Sequence, residues 1–213
     1  MPVVFKKKTN LYDLLVWQVK ETGDELIKTA GLSESDQVLL NSYKSAIRRR
    51  EFLAVRCALK SLLGDGCPEI IYTDNGKPHL KDNTYISISH SGDFIALITA
   101  QSNVGIDIEK MRFSIHKISG KFVSEKERES LLNDRLTEKL HLIWGAKEVL
   151  FKLYGKGNVD FKKDLYVEHF DLNNLQPLFA TNKKDDLHQS FTIHRHNIED
   201  FVLTWCCAGE INF

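Results

Sequence analysis

Two long helical stretches constrain the fold of this chain more than any other feature, because each is followed by a glycine-bearing break and then by short apolar runs of strand character. In Lys44 to Leu63 the apolar residues Phe52, Val55, Leu59 and Leu62 recur at helical spacing, and Gly64-Asp-Gly66 interrupts the pattern. In Leu140 to Leu153 the stripe is Leu142, Ala146, Val149 and Leu153, and Gly155-Lys-Gly157 ends it. Glu69 to Thr73, Tyr85 to His90 and Phe94 to Ala100 follow the first helix; Leu165 to Phe170, Phe191 to His196 and Phe201 to Cys207 follow the second. One plan is thus used twice, although the residues themselves do not repeat. The expectation is an α+β protein made of a pseudo-twofold pair of similar lobes, residues 1–103 and 104–213, each a small antiparallel sheet packed on a long helix.

The flanking segments fit this plan. Val3 to Lys7 and Leu14 to Val19 read as strands, the second carrying Trp17. Thr22 with Glu25 has the spacing of a capping box, Gly31 closes that helix, and Ser33-Glu-Ser-Asp36 opens another. Asn173 to Gln189 is polar and reads as a flexible excursion. The 29 basic and 29 acidic residues cancel, so no global field calls for nucleic acid or a membrane surface, and a charged ligand must be met by a local patch. No apolar run approaches the roughly 18 residues of a membrane span, and Met1 to Asn10 lacks the apolar core of a secretion signal, so a cytoplasmic protein is expected. Cys57, Cys67, Cys206 and Cys207 form no Cys-x-x-Cys pair, which suits a reducing compartment. His194 and His196 alternate on a strand with no further ligand at zinc-like spacing.

Chemistry concentrates elsewhere. In Val104-Gly-Ile-Asp-Ile-Glu109 two acids alternate with aliphatic residues, so a strand points Asp107 and Glu109 to one face, either a solvated acidic face or half of a site for a hard divalent cation. Such a cation needs a third oxygen. Trp144, Glu148 and Lys152 lie four apart on one helix face, where Glu148 is either the partner of Lys152 in a solvated pair or that third ligand. Asn75-Gly-Lys-Pro78 is a tight turn that presents Lys77. His90 ends a strand rich in serine (Ser87, Ser89, Ser91), and without a Gly-x-Ser-x-Gly elbow these serines do not read as nucleophiles. Arg48, Arg49 and Arg50 fall on different sides of the first long helix, while Arg56 lies in its apolar half as an ion-pair partner or a phosphate ligand. Ser124 and Glu127 have capping-box spacing.

Taken together and in order, Asn75-Gly-Lys-Pro78, Ser87-Ile-Ser-His90, Val104-Gly-Ile-Asp-Ile-Glu109 and Trp144-Gly-Ala-Lys-Glu-Val-Leu-Phe-Lys152 closely resemble the signature series of the 4′-phosphopantetheinyl transferases, in their larger single-chain, two-lobed type. The resemblance extends to Phe122-Val-Ser-Glu-Lys-Glu127 and Gly155-Lys-Gly157 and covers about half the chain. It implies transfer of the phosphopantetheine arm of coenzyme A to a serine of an apo acyl or peptidyl carrier protein, with release of 3′,5′-ADP. It also implies Mg²⁺ on Asp107, Glu109 and Glu148, and coenzyme A, lying between the lobes, on Lys77, Pro78, Ser89, His90, Lys152 and the basic helix. Asp107, Glu148 and Lys152 become the catalytic set, with Glu148 or, in reserve, Glu127 as the base. Ser87 stands where many relatives have Asn, and Arg48, Arg49, Arg50 and Arg56 compete for the 3′-phosphate, Arg48 and Arg56 being preferred. Lys110, Arg112 and Lys117 are expected carrier contacts, against an acidic carrier helix. A monomer is expected. A coenzyme A binding module without catalysis and a Mg²⁺-dependent phosphohydrolase are the competing functions.

Overall fold

The computed structural model describes residues 3–131, 135–155, 157–174, 176–184 and 188–210; Lys156 of the Gly155–Gly157 motif lies outside them. The first half runs β1 (Val3–Lys8), β2 (Tyr12–Gln18), α1 (Gly23–Ala30), α2 (Glu34–Ser42), α3 (Ala46–Leu63), β3 (Ile70–Tyr72), β4 (Pro78–Leu80), β5 (Tyr85–Ser91) and β6 (Phe94–Ala100). The second runs β7 (Val104–Lys110), α4 (Ile115–Ile118), α5 (Glu125–Arg128), α6 (Leu136–Tyr154), β8 (Leu165–Val167), β9 (Leu178–Asn182), β10 (Gln189–Ile198) and β11 (Phe201–Cys207).

The repeat that sequence only suggested is explicit in the strand order. The first sheet is ordered β1-β2-β6-β5-β4-β3 and the second β7-β11-β10-β9-β8, with every pairing antiparallel. Setting β1 aside, each is built as strand, long helix, then four strands, the last of which returns beside the first. Two of those strands escape the sequence reading. Pro78–Leu80 is so short that its proline turn masks it, and Leu178–Asn182 lies inside the stretch read as a flexible excursion. Leu178 and Ala180 of that strand are buried against α6 and β8, so it belongs to the core despite its polar flanks.

Four layers result. Helix α3 covers the outer face of the first sheet, where Phe52, Leu53 and Leu59 meet Leu15, Trp17 and Leu97. The inner faces of the two sheets pack on each other: Leu14, Val16, Ala96 and Ile98 meet Val104, Ile106, Ile108 and Leu203. Helix α6 covers the outer face of the second sheet through Ile143, Ala146, Val149 and Leu150. Trp205 donates its indole N–H to the Tyr12 hydroxyl at 3.0 Å and so ties β11 to β2 across the joint. The alternation in β7 thus sends its aliphatic residues into the joint between sheets and its acids toward α6. No described helix is long and apolar enough to cross a membrane.

Candidate active site

Glycine brings the acids of β7 and the helix α6 together. A Cβ on Gly105 would lie 2.5 Å from the Val149 carbonyl oxygen, and one on Gly145 would lie 2.7 Å from Thr204 Oγ1. One glycine on the strand and one on the helix therefore let α6 sit low on the sheet, where Trp144, Glu148 and Lys152 reach β7. Gly105→Ala forces backbone apart at this seat. It is expected to cost ~1–3 kcal/mol, read as a lower urea midpoint, together with a loss of whatever activity the β7–α6 pair supports.

Asp107 is buried, only 4% exposed, so the acidic face is not a solvated one. Its Oδ1 accepts from Lys152 Nζ at 2.8 Å and from Ser89 Oγ at 2.9 Å, and its Oδ2 has no hydrogen-bond partner among the described residues. Lys152 also donates to the Ile106 carbonyl at 2.8 Å. Burial, and then the Asp107 charge, push the carboxyls of Glu109 and Glu148 up to about 7; a Trp144 hydrogen bond and Lys152 act in the opposite direction on Glu109. Three acids therefore share a poorly hydrated place with one ammonium, an arrangement that favours an additional cation.

The donor set suits a hard divalent ion such as Mg²⁺, since it is oxygen throughout and includes a buried carboxylate oxygen that nothing else engages. Among the described residues no three Asp, Glu, His or Cys side chains already surround a common metal position.

On the other side of β5 the structure sorts the arginines of α3. Arg49 donates to the Leu40 carbonyl, and Arg50 to Asp93 and the Val19 carbonyl. Arg56, preferred from sequence as a phosphate ligand, is 6% exposed, holds Asp36 at 2.7 and 3.0 Å and lies over the Phe52 ring. Its charge is spent inside the lobe, because a buried guanidinium needs a buried acid. Arg48 differs: its side chain is two-thirds exposed and, among the described residues, pairs with Glu51 at 3.6 Å. Glu51 also faces His90 Nδ1 at 3.3 Å. Arg48, Glu51 and His90 border a cavity of about 490 Å³ with Tyr43, Tyr72, Pro78 and Ile88.

The resemblance implies a phosphate on Lys77. Its ammonium instead donates to Asn103 Oδ1 at 3.0 Å and to the Leu153 carbonyl at 3.1 Å, which also accepts from Asn103 Nδ2 at 2.6 Å. The end of α6 leaves carbonyls without helical partners, and Lys77 and Asn103 satisfy one of them across the lobe junction. Burial lowers the Lys77 pKa. With Pro78, Ile88, Phe151 and Lys152 it borders a second opening of about 400 Å³, so the two cavities share Pro78 and Ile88 and form one cleft.

Glu127, the reserve base, lies outside this cleft. It is 1% exposed, completes the capping box with Ser124, accepts from the Val167 amide at 2.8 Å and pairs with Lys147 at 2.8 Å. Lys110, Arg112 and Ser114 border a further opening of about 340 Å³ beside Glu109 and Trp144, with Phe113 exposed nearby and stacked on His116. Sequence reasoning missed Lys147, Asn103 and Glu51. Only Lys147 left a signal, as a lysine in phase with the apolar Ile143 and Leu150.

Fold and site together define a class: a two-lobed α+β protein whose lobe junction gathers carboxylates and a lysine beside a cleft with further cationic groups. A family model described as the 4′-phosphopantetheinyl transferase superfamily matches residues 103–206. The 4′-phosphopantetheinyl transferase AcpT of Escherichia coli O157:H7 is 33% identical over 156 residues, 63% of this chain and 76% of that protein. The 4′-phosphopantetheinyl transferase ffp of Bacillus subtilis is 30% identical over 59% of this chain, which spans 66% of that relative's length. The 4′-phosphopantetheinyl transferase gsp of Aneurinibacillus migulanus is 24% identical over 83% of this chain and 82% of its own length. The chain belongs to the 4′-phosphopantetheinyl transferase superfamily.

Proposed function

We propose that this chain transfers the 4′-phosphopantetheine arm of coenzyme A to a serine of an apo acyl or peptidyl carrier protein, with Mg²⁺, and releases 3′,5′-ADP. The observation that carries this reading is the convergence of Asp107, Glu109 and Glu148 with Lys152 at the lobe junction, beside the cleft bordered by Arg48 and His90. Asp107, Glu109 and Glu148 hold the cation, whose chemistry when bound is to polarise phosphoryl oxygens and offset charge on the leaving group. Lys152, fixed by Asp107 and the Ile106 carbonyl, presents a positive charge where the pyrophosphate lies and favours the transition state as negative charge builds there. Glu148 takes the proton of the carrier serine. Arg48 and His90 bind the 3′-phosphate, with the base seated against Pro78. Lys110, Arg112 and Lys117 meet the carrier beside Glu109. The lobes of one chain supply every group, so the reading is of a monomer, working in the cytoplasm without nucleic acid or membrane.

Incubation with coenzyme A, Mg²⁺ and a panel of apo carriers tests this directly. Intact-mass measurement is expected to show a phosphopantetheine adduct on at least one carrier; coenzyme A binding with no adduct on any carrier contradicts it. A second expectation separates the two candidate arginines. Arg48→Ala raises KM for coenzyme A by about tenfold, the scale of one charge-assisted hydrogen bond, and leaves kcat and the unfolding midpoint near wild type. Arg56→Ala strands Asp36 inside the first lobe and costs ~3–5 kcal/mol of stability, seen by urea denaturation.

A further inference from the structure

Strand β7 is the edge of its sheet, so every second backbone amide on its open side needs a partner from elsewhere. The neighbour on that side is β5. β5 belongs to the other sheet, where β6 pairs with it along its length and β4 at Tyr85, and it meets β7 without a backbone ladder among the described residues. It offers serine hydroxyls instead. Ser87 Oγ accepts from the Ile106 amide at 3.1 Å, Ser89 Oγ from the Ile108 amide at 3.2 Å, and Ser91 Oγ from the Lys110 amide at 3.1 Å. The offset is the same each time, so the strands run parallel and the period-two spacing of one matches that of the other. Ser89 donates its own proton to Asp107.

We propose that Ser87 and Ser91 are positioning residues, the outer two rungs of a serine column that sets the register of the metal-binding strand against the first lobe. The pinned amides alternate with Asp107 and Glu109 along β7, so fixing 106, 108 and 110 fixes where the carboxylates stand relative to Lys152. His90 alternates with the same serines on β5 and faces Glu51 on the opposite side. One strand therefore spaces the phosphate-binding side of the cleft from the carboxylate side. The inference rests on the transferase reading for its consequence in catalysis, and on hydrogen bonds alone for the column.

The test compares wild type with Ser87→Ala/Ser91→Ala, with Ser91→Thr, which keeps the hydroxyl, and with Ser130→Ala. Ser130 is a buried serine that bonds His169 away from the cleft. Amide exchange by NMR and Mg²⁺ binding by calorimetry are read without coenzyme A or carrier, and KM and kcat with them. In the double variant the amides of Ile106 and Lys110 are expected to exchange at least about tenfold faster while Ile108 keeps its protection. Half-saturation by Mg²⁺ is expected to rise about tenfold, the effect of losing two net hydrogen bonds. KM for coenzyme A should change less than kcat. Ser91→Thr stays near wild type, and Ser130→Ala loses stability with Mg²⁺ binding unchanged. Should the double variant fail to fold, Ser91→Ala alone reports through the Lys110 amide. Unchanged exchange and Mg²⁺ binding overturn the proposal, as does an equal weakening by Ser130→Ala. If these results hold but wild type loads no carrier, the column stands and the transferase reading falls.

Discussion

Asp107→Asn is expected to lower carrier loading by at least about a thousandfold, the scale of losing a fixed electrostatic element of a reacting site, without lowering the thermal midpoint of the metal-free protein. The second half of this expectation separates a functional carboxylate from a structural one. Asp107 is buried, its Oδ2 engages nothing among the described residues, and its charge helps push the Glu109 and Glu148 carboxyls up. Asparagine keeps the shape, can still accept from Ser89 and Lys152, and removes that repulsion. Thermal scans with and without Mg²⁺ complete the test: wild type gains from the ion, and the variant does not. A variant that unfolds early but retains loading would make Asp107 a residue of the core rather than of the site.

Lys147→Met is expected to lower stability as strongly as any single change in the chain's second half. Lys147 is fully buried and gives its three donors to the Phe122 carbonyl at 2.6 Å, the Phe161 carbonyl at 2.8 Å and Glu127 at 2.8 Å. Glu127 in turn accepts from the Ser124 and Val167 amides. This network ties α6 to the α5 cap, to β8 and to the loop at Phe161, one residue before Glu148. Removing the lysine leaves Glu127 in the interior without its counter-charge, a loss of ~3–5 kcal/mol. That is a large part of the roughly 5–15 kcal/mol that holds an ordinary domain together. Lys147→Met/Glu127→Gln is expected to recover much of it, since the pair is costly to break rather than intrinsically stabilising. Urea unfolding of the two single variants and the double one gives the coupling directly.

The architecture was legible because each level of the sequence agreed with the next. Phe52, Val55 and Leu59 set the phase of α3, Ser124 and Glu127 cap α5, and the alternation in Val104 to Glu109 sends the acids toward α6. Short strands were lost where local chemistry argues for turns. Pro78 ends one turn and begins β4, and β9 carries Phe179 exposed between buried Leu178 and Ala180 amid a polar stretch.

In the site, residue types were readable and their allegiances were not. Nothing in the helical period shows that Asp36, twenty residues before Arg56, closes on its guanidinium, or that Lys77 turns to the end of α6. Those pairings are set by tertiary approach. The serines of β5 made the same point in reverse: their spacing of two was plain, but its use required knowing that β7, the edge of the other sheet, lies beside them.

The central claim is that the carboxylates of β7 and α6, with Lys152, form a centre that breaks coenzyme A only in order to load a carrier. Measuring loaded carrier and 3′,5′-ADP in the same reaction tests it most directly. Equal amounts of the two are expected, both dependent on Mg²⁺, both absent without carrier and both lost together in Asp107→Asn. Release of 3′,5′-ADP from coenzyme A with no carrier present would contradict it and make the centre a hydrolase.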